Sequence, residues 1–216
     1  MDIRQTRSLR QICRALWSQY DITVLACVLL TLAAYFYWGA RQRQAITETV
    51  RPELFNSGDL VDVVMAVDGD EVIIGTAEGE TTKFRILGIK SFNPTLRDPL
   101  ILEYGKICFD YLKRVAVGEK ARLVVSDKRV DNEGRLLGTL FLPGTDGKYD
   151  SNLATDLIRK GYTLVYTRFD FPDIDAYLDV QRQARKTGEG FWMHDRITAR
   201  ADSLLLLWNQ EKNRDH

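Results

Sequence analysis

Cysteine is scarce in this 216-residue chain: three residues, Cys13, Cys27 and Cys108. Only Cys108 falls in the part of the chain with globular patterning, so no disulfide forms within that part. No CxxC and no Cys/His spacing occurs, which excludes a zinc module of the usual kinds. Cys108 alone reads as a small buried hydrophobe. Internal repeats and low-complexity tracts are also missing, which excludes solenoids and arrays. An excess of basic charge is missing too. Thirty basic residues balance thirty acidic ones. Four of the basic and two of the acidic residues lie in residues 1–40, so the remainder carries 26 basic to 28 acidic side chains, near −2. Proteins that hold nucleic acid through its phosphates carry a basic surface, and bulk charge gives no sign of one.

What is present is 45% hydrophobic and 28% charged, the composition of a folded chain. The first feature is an uncharged run from Ile22 to Ala40, ITVLACVLLTLAAYFYWGA. Nineteen residues at ~1.5 Å each span roughly 28 Å, close to the ~30 Å hydrocarbon core. Tyr20 stands at one end and Tyr35, Tyr37 and Trp38 at the other, as aromatics do at headgroup level. The run is longer than a signal core, and its exit is aromatic rather than small-x-small. It therefore predicts an uncleaved transmembrane helix over 21–40, behind a basic segment over 1–20. The arginine bias places the N-terminus inside and the remainder outside. Such a domain would face the periplasm from a bacterial inner membrane. The Arg-rich, acid-poor leader equally fits import to a mitochondrial inner membrane.

Residues 41–58 are polar, with Pro52 and Gly58, and read as a linker. Strand signals follow. Leu60 to Val67 is β-branched and ends at Asp68-Gly69-Asp70, then come Val72-Ile73-Ile74 and Thr81–Ile89, a three-stranded meander. Asp98-Pro99 opens a helix on which Tyr104, Cys108, Tyr111, Leu112 and Val115 recur at helical spacing before Gly118. Strands are expected over Ala121–Ser126 and Arg135–Leu142, and helices over Ser151–Lys160 and Asp173–Thr187. Five short strands with an intervening helix predict an α+β fold, a five-stranded OB-type barrel with about three packed helices. The domain is expected over 59–195, with a helical extension over 196–216. On that extension Ile197, Ala201, Leu204, Leu205 and Trp208 share one face, as in a helix that docks on the domain; lying at the membrane surface and binding a partner are the alternatives.

The motifs VDGDEVII, FRILGI, EYG, DNEGR, LIRKGY and GFW, in that order, resemble staphylococcal nuclease from about Val61 to Trp192. The resemblance implies a calcium-dependent phosphodiesterase on an OB barrel, with two arginines on the phosphate, two aspartates holding calcium and a glutamate activating water. Arg85 and Arg135 match the arginines, and Asp70 matches the first calcium ligand. The second aspartate's position holds Lys90, the following threonine's holds Ser91, and the glutamate's holds Asn93. Glu133, Thr167 and Phe169 stand where the family carries aromatic residues that stack a base, although Tyr166 and Phe169 remain available for stacking or core packing.

These departures shape the functional expectation. Calcium takes six to eight oxygens, preferably carboxylates. A lysine in the first shell replaces an anion by a cation, at about 4 kcal/mol per unit charge for ~4 Å and a dielectric near 20. Asparagine accepts no proton, so the general base is lost as well. The expectation is a membrane-anchored, catalytically degenerate nuclease-fold module without a cofactor. It would hold an anionic ligand, a phosphate or carboxylate, on Arg85, Lys90 and Arg135, or serve as an assembly subunit with a protein partner in a membrane complex. In the bland alternative Lys90 pairs with Asp70, and the arginines pair with carboxylates in the barrel wall. The remaining alternative is an active membrane-anchored DNA or RNA endonuclease with a non-standard calcium site. Asp62, Asp68 and Glu103 are the carboxylates near enough in sequence to rebuild one. Arg85 and Arg135 would then be catalytic and Asp70 a metal ligand.

Overall fold

The computed structural model describes residues 24–38, 51–92 and 98–214. The chain divides into two units, Met1–Glu48 and Thr49–His216. In the first, residues 24–38 form a helix, α1, whose apolar side chains Val24, Leu25, Leu29, Leu30 and Phe36 are exposed. Among the described residues no helix is long and apolar enough to cross a membrane. Residues 21–23 and 39–40 of the expected transmembrane segment lie outside the described residues, as do the basic segment 1–20 and most of the linker.

The second unit is α+β and is built around a closed barrel of five strands. These are β1 (Leu60–Asp68), β2 (Glu71–Gly75), β3 (Thr81–Ile86), β5 (Lys120–Val130) and β6 (Leu136–Pro143). β1, β2 and β3 form the expected antiparallel meander, with Glu71 opposite Arg85 in the β2–β3 ladder. β5 pairs antiparallel with both β1 and β6. The sheet closes where β3 meets β6 in parallel, Phe84 against Leu136 and Ile86 against Gly138. Closure removes the free edges that an open sheet would expose.

Three short strands were not legible as periodic runs. β4 (Ile89–Ser91) and β8 (Thr163–Val165) pair as a separate ribbon, and β7 (Tyr149–Asn152) pairs antiparallel with β6. Three or four residues are too few to show a period of two, and the Tyr-Asp-Ser-Asn of β7 carries no apolar alternation.

The helices are α2 (Pro99–Ala116), α3 (Leu153–Arg159), α4 (Ile174–Thr187) and α5 (Asp195–Arg214). Asp98 caps α2 by accepting from the Leu100 amide, with Pro99 in the first turn. Ile101, Tyr104, Cys108, Leu112 and Ala116 form its buried face. Gly188, in the left-handed region, ends α4.

Two apolar clusters result. One fills the barrel and the faces of α2, α3 and α4. The other gathers Phe92, Tyr104, Phe191 and Trp192 against Ile197, Ala201 and Trp208 of α5, so the C-terminal helix packs on the domain. The globular packing also begins earlier than a linker running to residue 58 implies. Phe55 is fully buried, and the Arg129 guanidinium donates to the carbonyls of Pro52 and Phe55.

Candidate functional site

The turn between β1 and β2 is pressed against β4 and α2. A Cβ on Gly69 would lie 2.7 Å from Ser91 Cβ and 2.8 Å from Cys108 Sγ. The Cys108 thiol, itself buried, donates to the Gly69 carbonyl at 3.2 Å. Burial, then the nearby carboxylates Asp70 and Asp68, push that thiol well above its ordinary range.

This packing carries Asp70 to 0% exposure, where an ionised carboxylate persists only with partners. It has four. Arg85 donates from Nη1 to Oδ1 at 2.8 Å, with Nη2 2.7 Å from Oδ2. The Ser91 amide donates to Oδ2 at 2.9 Å, and the Lys90 ammonium stands 3.6 Å from that oxygen. The Arg85–Asp70 contact is therefore a bidentate fork. The same guanidinium reaches the Ile89 carbonyl at 3.4 Å. Arg85 is buried, whereas the Lys90 side chain is 39% exposed.

Arg135 is held in the same way by other acids. Nη1 donates to Glu71 at 2.7 Å, Nε donates to Asp131 at 2.7 Å, and Nη2 lies 2.6 Å from Asp131. Glu133 completes the ring at 3.2 Å, with its side chain 72% exposed. Asp131 also accepts from the amides of Glu133 and Arg135, which fixes the turn that leads into β6. Partial burial raises the Asp131 carboxyl, but the hydrogen bonds from Arg135 and the two amides outweigh it and hold the group below its ordinary value.

A group whose folded pKa is depressed contributes stability that is present above its ordinary pKa and is lost as pH falls through the folded value. Asp131→Asn should therefore flatten the acid limb of the stability curve below about pH 4. At neutral pH it should cost about 1.5–3 kcal/mol, the scale of a hydrogen bond to a charged group. Urea denaturation of wild type and variant across pH checks both; identical acid limbs would remove Asp131 from the account.

The structure brings Asp70, Arg85, Lys90 and Ser91 into one contact cluster, and places Arg135 on its own set of carboxylates. Asn93 lies outside the described residues. The three carboxylates considered for a rebuilt metal site do not converge. Asp62 pairs with Lys120 at 2.9 Å, six residues or about 20 Å along β1 from Asp68. Glu103 is exposed on α2. Asp68 is half-buried and accepts from the Gly69 amide; burial, with Asp70 nearby, raises its pKa. Among the described residues no group of three or more His, Cys, Asp or Glu side chains is placed to hold a metal. Thr167 is buried and Phe169 is 53% exposed.

Two participants escaped the sequence reading, Glu71 and Asp131. Asp131 had a signal: an aspartate opening an Asp-Asn-Glu-Gly turn accepts from the amides two and four residues on, and so stands beside the arginine that follows. Glu71 had none, because its role rests on the β2–β3 register.

Such an arrangement is a barrel wall cross-linked by ion pairs. Three cations, Arg85, Lys90 and Arg135, face Asp68, Asp70, Glu71, Asp131 and Glu133. Calcium does not fit here as the family's chemistry requires. Both Asp70 oxygens already accept hydrogen bonds, and an ammonium stands 3.6 Å away in place of a second carboxylate.

A small closed barrel with α2, α3 and α4 packed against its core is the fold that the resemblance implies. The family model described as Staphylococcal nuclease homologue matches residues 83–194, just over half of the chain, and the chain belongs to that family. The match begins within β3, so it includes Arg85, Lys90 and Arg135 and ends before α5. No curated protein matches the sequence significantly.

Proposed function

We propose that this protein is a membrane-anchored, catalytically silent nuclease-fold module whose role is to interact or assemble with a protein partner. The observation that carries the reading is the condition of Asp70. It is fully buried, its two oxygens bind the Arg85 fork and the Ser91 amide, and Lys90 closes the remaining side. A metal ion entering there must evict one cation and displace another. With Asn93 at the general-base position of the family's pattern, hydrolysis then has neither activated water nor metal.

The same contacts bear on an anionic ligand. Arg85 and Arg135 already donate to carboxylates in bidentate geometry, so a phosphate would have to displace the buried Asp70 from one and the half-buried Asp131 from the other. An interaction role needs no such exchange. The anchoring part of the proposal rests on the uncharged run Ile22–Ala40 and the arginines before it. In this reading the run tethers the domain on the outer side of a bacterial inner membrane or in a mitochondrial inner membrane.

Calcium titration of the full chain in detergent tests the silent site. A ligand present at a hundredfold over its Kd stabilises by about 2.7 kcal/mol, a shift easily read as melting temperature. The expected result is no calcium-induced rise, and no chelator-sensitive cleavage of single-stranded DNA or RNA. Either effect would instead establish a rebuilt metal site and an active endonuclease.

A further inference from the structure

A cavity apart from the Asp70 cluster lies between α2, the β6–β7 ladder and α3. Tyr111 and Val115, four apart on α2, form one side. Leu142 of β6 and Ser151 of β7, opposite one another in the ladder, form the second. Leu153 and Asp156 of α3 form the third, and Glu119 of the turn after α2 completes the lining. The volume is about 390 Å³, within the range of ~300–1,000 Å³ usual for ligand sites. No residue of the ion-paired barrel wall takes part in it.

The polar groups of this lining are mostly acceptors. The Tyr111 hydroxyl donates to Asp156 Oδ2 at 2.5 Å, which commits its proton and leaves the phenol oxygen to accept. Burial, then the hydrogen bond to Asp156, raise the Tyr111 pKa, so the phenol stays neutral. Asp156 Oδ1 has the Arg159 guanidinium 3.9 Å away, on a side chain that is 63% exposed. Glu119 is anchored through its backbone: its amide donates to the Ala116 carbonyl at 3.0 Å, and its carbonyl accepts from the Val63 amide at 2.9 Å. Its side chain is exposed, and among the described residues no hydrogen bond or ion pair holds the carboxylate. Ser151 alone in the lining has a proton to give. Arg114 and Lys160 stand 5.2 and 5.3 Å from the Tyr111 ring centre, outside the lining.

Two carboxylates and a phenol oxygen above an apolar wall of Val115, Leu142 and Leu153 select a ligand with donors and positive charge at the end of an apolar stem. An anion is repelled, and a purely apolar ligand strips water from the acids without replacing it. A guanidinium offers five N–H donors in a planar fork, which suits carboxylates arriving from separate elements.

We propose that this cavity receives an arginine side chain of a protein partner, with its guanidinium between Glu119 and Asp156 and its stem on Val115, Leu142 and Leu153. The proposal rests on the interaction role proposed for the protein and gives that role a surface. Charge complementarity selects the occupant, since both charged groups of the lining are acids. Arginine is also enriched among the few residues that carry most of the energy of protein interfaces.

The test is nuclear magnetic resonance of the full chain in neutral detergent, with leucine and valine methyl groups labelled. The probes are butylguanidinium, 1-pentanol and pentanoate, which share a short apolar stem and differ in the charge of the head. Butylguanidinium is expected to shift the methyls of Val115, Leu142 and Leu153 saturably and to bind about fivefold or more tightly than pentanol, while pentanoate shifts none. Glu119→Gln should weaken butylguanidinium about fivefold, and so should Asp156→Asn. The Glu119 variant decides where the Asp156 variant loosens the fold, because Glu119 is exposed and holds no partner. A capped Gly-Arg-Gly tripeptide should shift the same methyls, and its citrulline counterpart should not. Equal binding of butylguanidinium and pentanol overturns the proposal, as does Glu119→Gln without effect. Butylguanidinium binding with no response to the arginine peptide would make this a site for a free small cation and overturns the partner's role. Each of these failures leaves the calcium titration unchanged, whereas a calcium response would sink the silent-site reading and leave the methyl shifts as they are.

Discussion

Arg85→Ala will destabilise the protein by about 3–5 kcal/mol, the range for removing one partner of a buried ion pair. The variant leaves Asp70 at full burial with the Ser91 amide at 2.9 Å and Lys90 at 3.6 Å. Those contacts put this variant toward the lower end of the range. Asp70→Ala should cost more, because Arg85 keeps only the Ile89 carbonyl at 3.4 Å, and a buried guanidinium does not neutralise by losing a proton. The pair itself is worth little against an apolar replacement, since desolvation offsets its attraction. Asp70→Leu with Arg85→Met should therefore recover most of the loss, to within about 1 kcal/mol of wild type or better. Chemical denaturation of the three variants measures these differences. If Arg85→Ala leaves the denaturation midpoint where wild type has it, the arginine is not part of the wall, and a ligand-facing role for it returns.

The Arg85–Asp70 pair is one part of the molecule that the residues alone named without placing. The meander, α2, α3 and α4 were legible because apolar residues recur at two or at three and four, and because Asp98-Pro99 and Gly188 mark helix ends. The order of strands and helix suggested a barrel, but which strands close it was not legible. Nothing local in β3 or β6 states that Phe84 lies beside Leu136, and parallel pairing of distant strands leaves no turn between them.

The site behaved in the same way. Asp70, Arg85 and Lys90 could be named from motifs, and the possibility that they pair with one another could be stated. Which acid takes which arginine is decided by register and burial. Glu71 reaches Arg135, not Arg85, although Glu71 and Arg85 are opposite in the ladder. Strand positions fix Cα neighbours, whereas a long guanidinium fork selects among carboxylates within its reach. The grip of α5 on residues 166–170, through Trp208 on Tyr166, Glu211 on Arg168 and Lys212 on Asp170, was hidden for a similar reason. Its apolar face was read correctly as a docking stripe, but the ion pairs at Glu211 and Lys212 depend on where the helix lands.

Gly138→Ala is expected to have the larger effect of the two substitutions argued in full, and to prevent folding of the globular unit altogether. Gly138 lies in β6 at the point where β5 pairs on one side, through Val125, and β3 closes the barrel on the other, through Ile86. Its carbonyl accepts from the Leu87 amide at 2.8 Å. A Cβ there would stand 2.2 Å from the Val124 carbonyl oxygen and 3.2 Å from the Phe84 ring. The first obstacle is backbone, so no rotamer change relieves it. β5 must move, and β5 is also tied to β1. Overpacking that side chains can relieve costs about 1–3 kcal/mol; a backbone clash inside a closed ladder exceeds that and approaches the whole stability of a domain, about 5–15 kcal/mol. The control is Gly79→Ala. That glycine has φ +89 in the β2–β3 turn with nothing within 4 Å of a Cβ, so only backbone strain of about 1–3 kcal/mol applies. Circular dichroism should show a cooperative melt for the Gly79 variant and none for the Gly138 variant. Because Arg85 lies opposite Leu137 beside this closure, losing the β3–β6 seam would also part β3, which carries Arg85, from β6, which Arg135 immediately precedes. A cooperative, near-native melt for Gly138→Ala would mean that the seam yields, and that the ion pairs rather than the backbone ladder hold the two walls together.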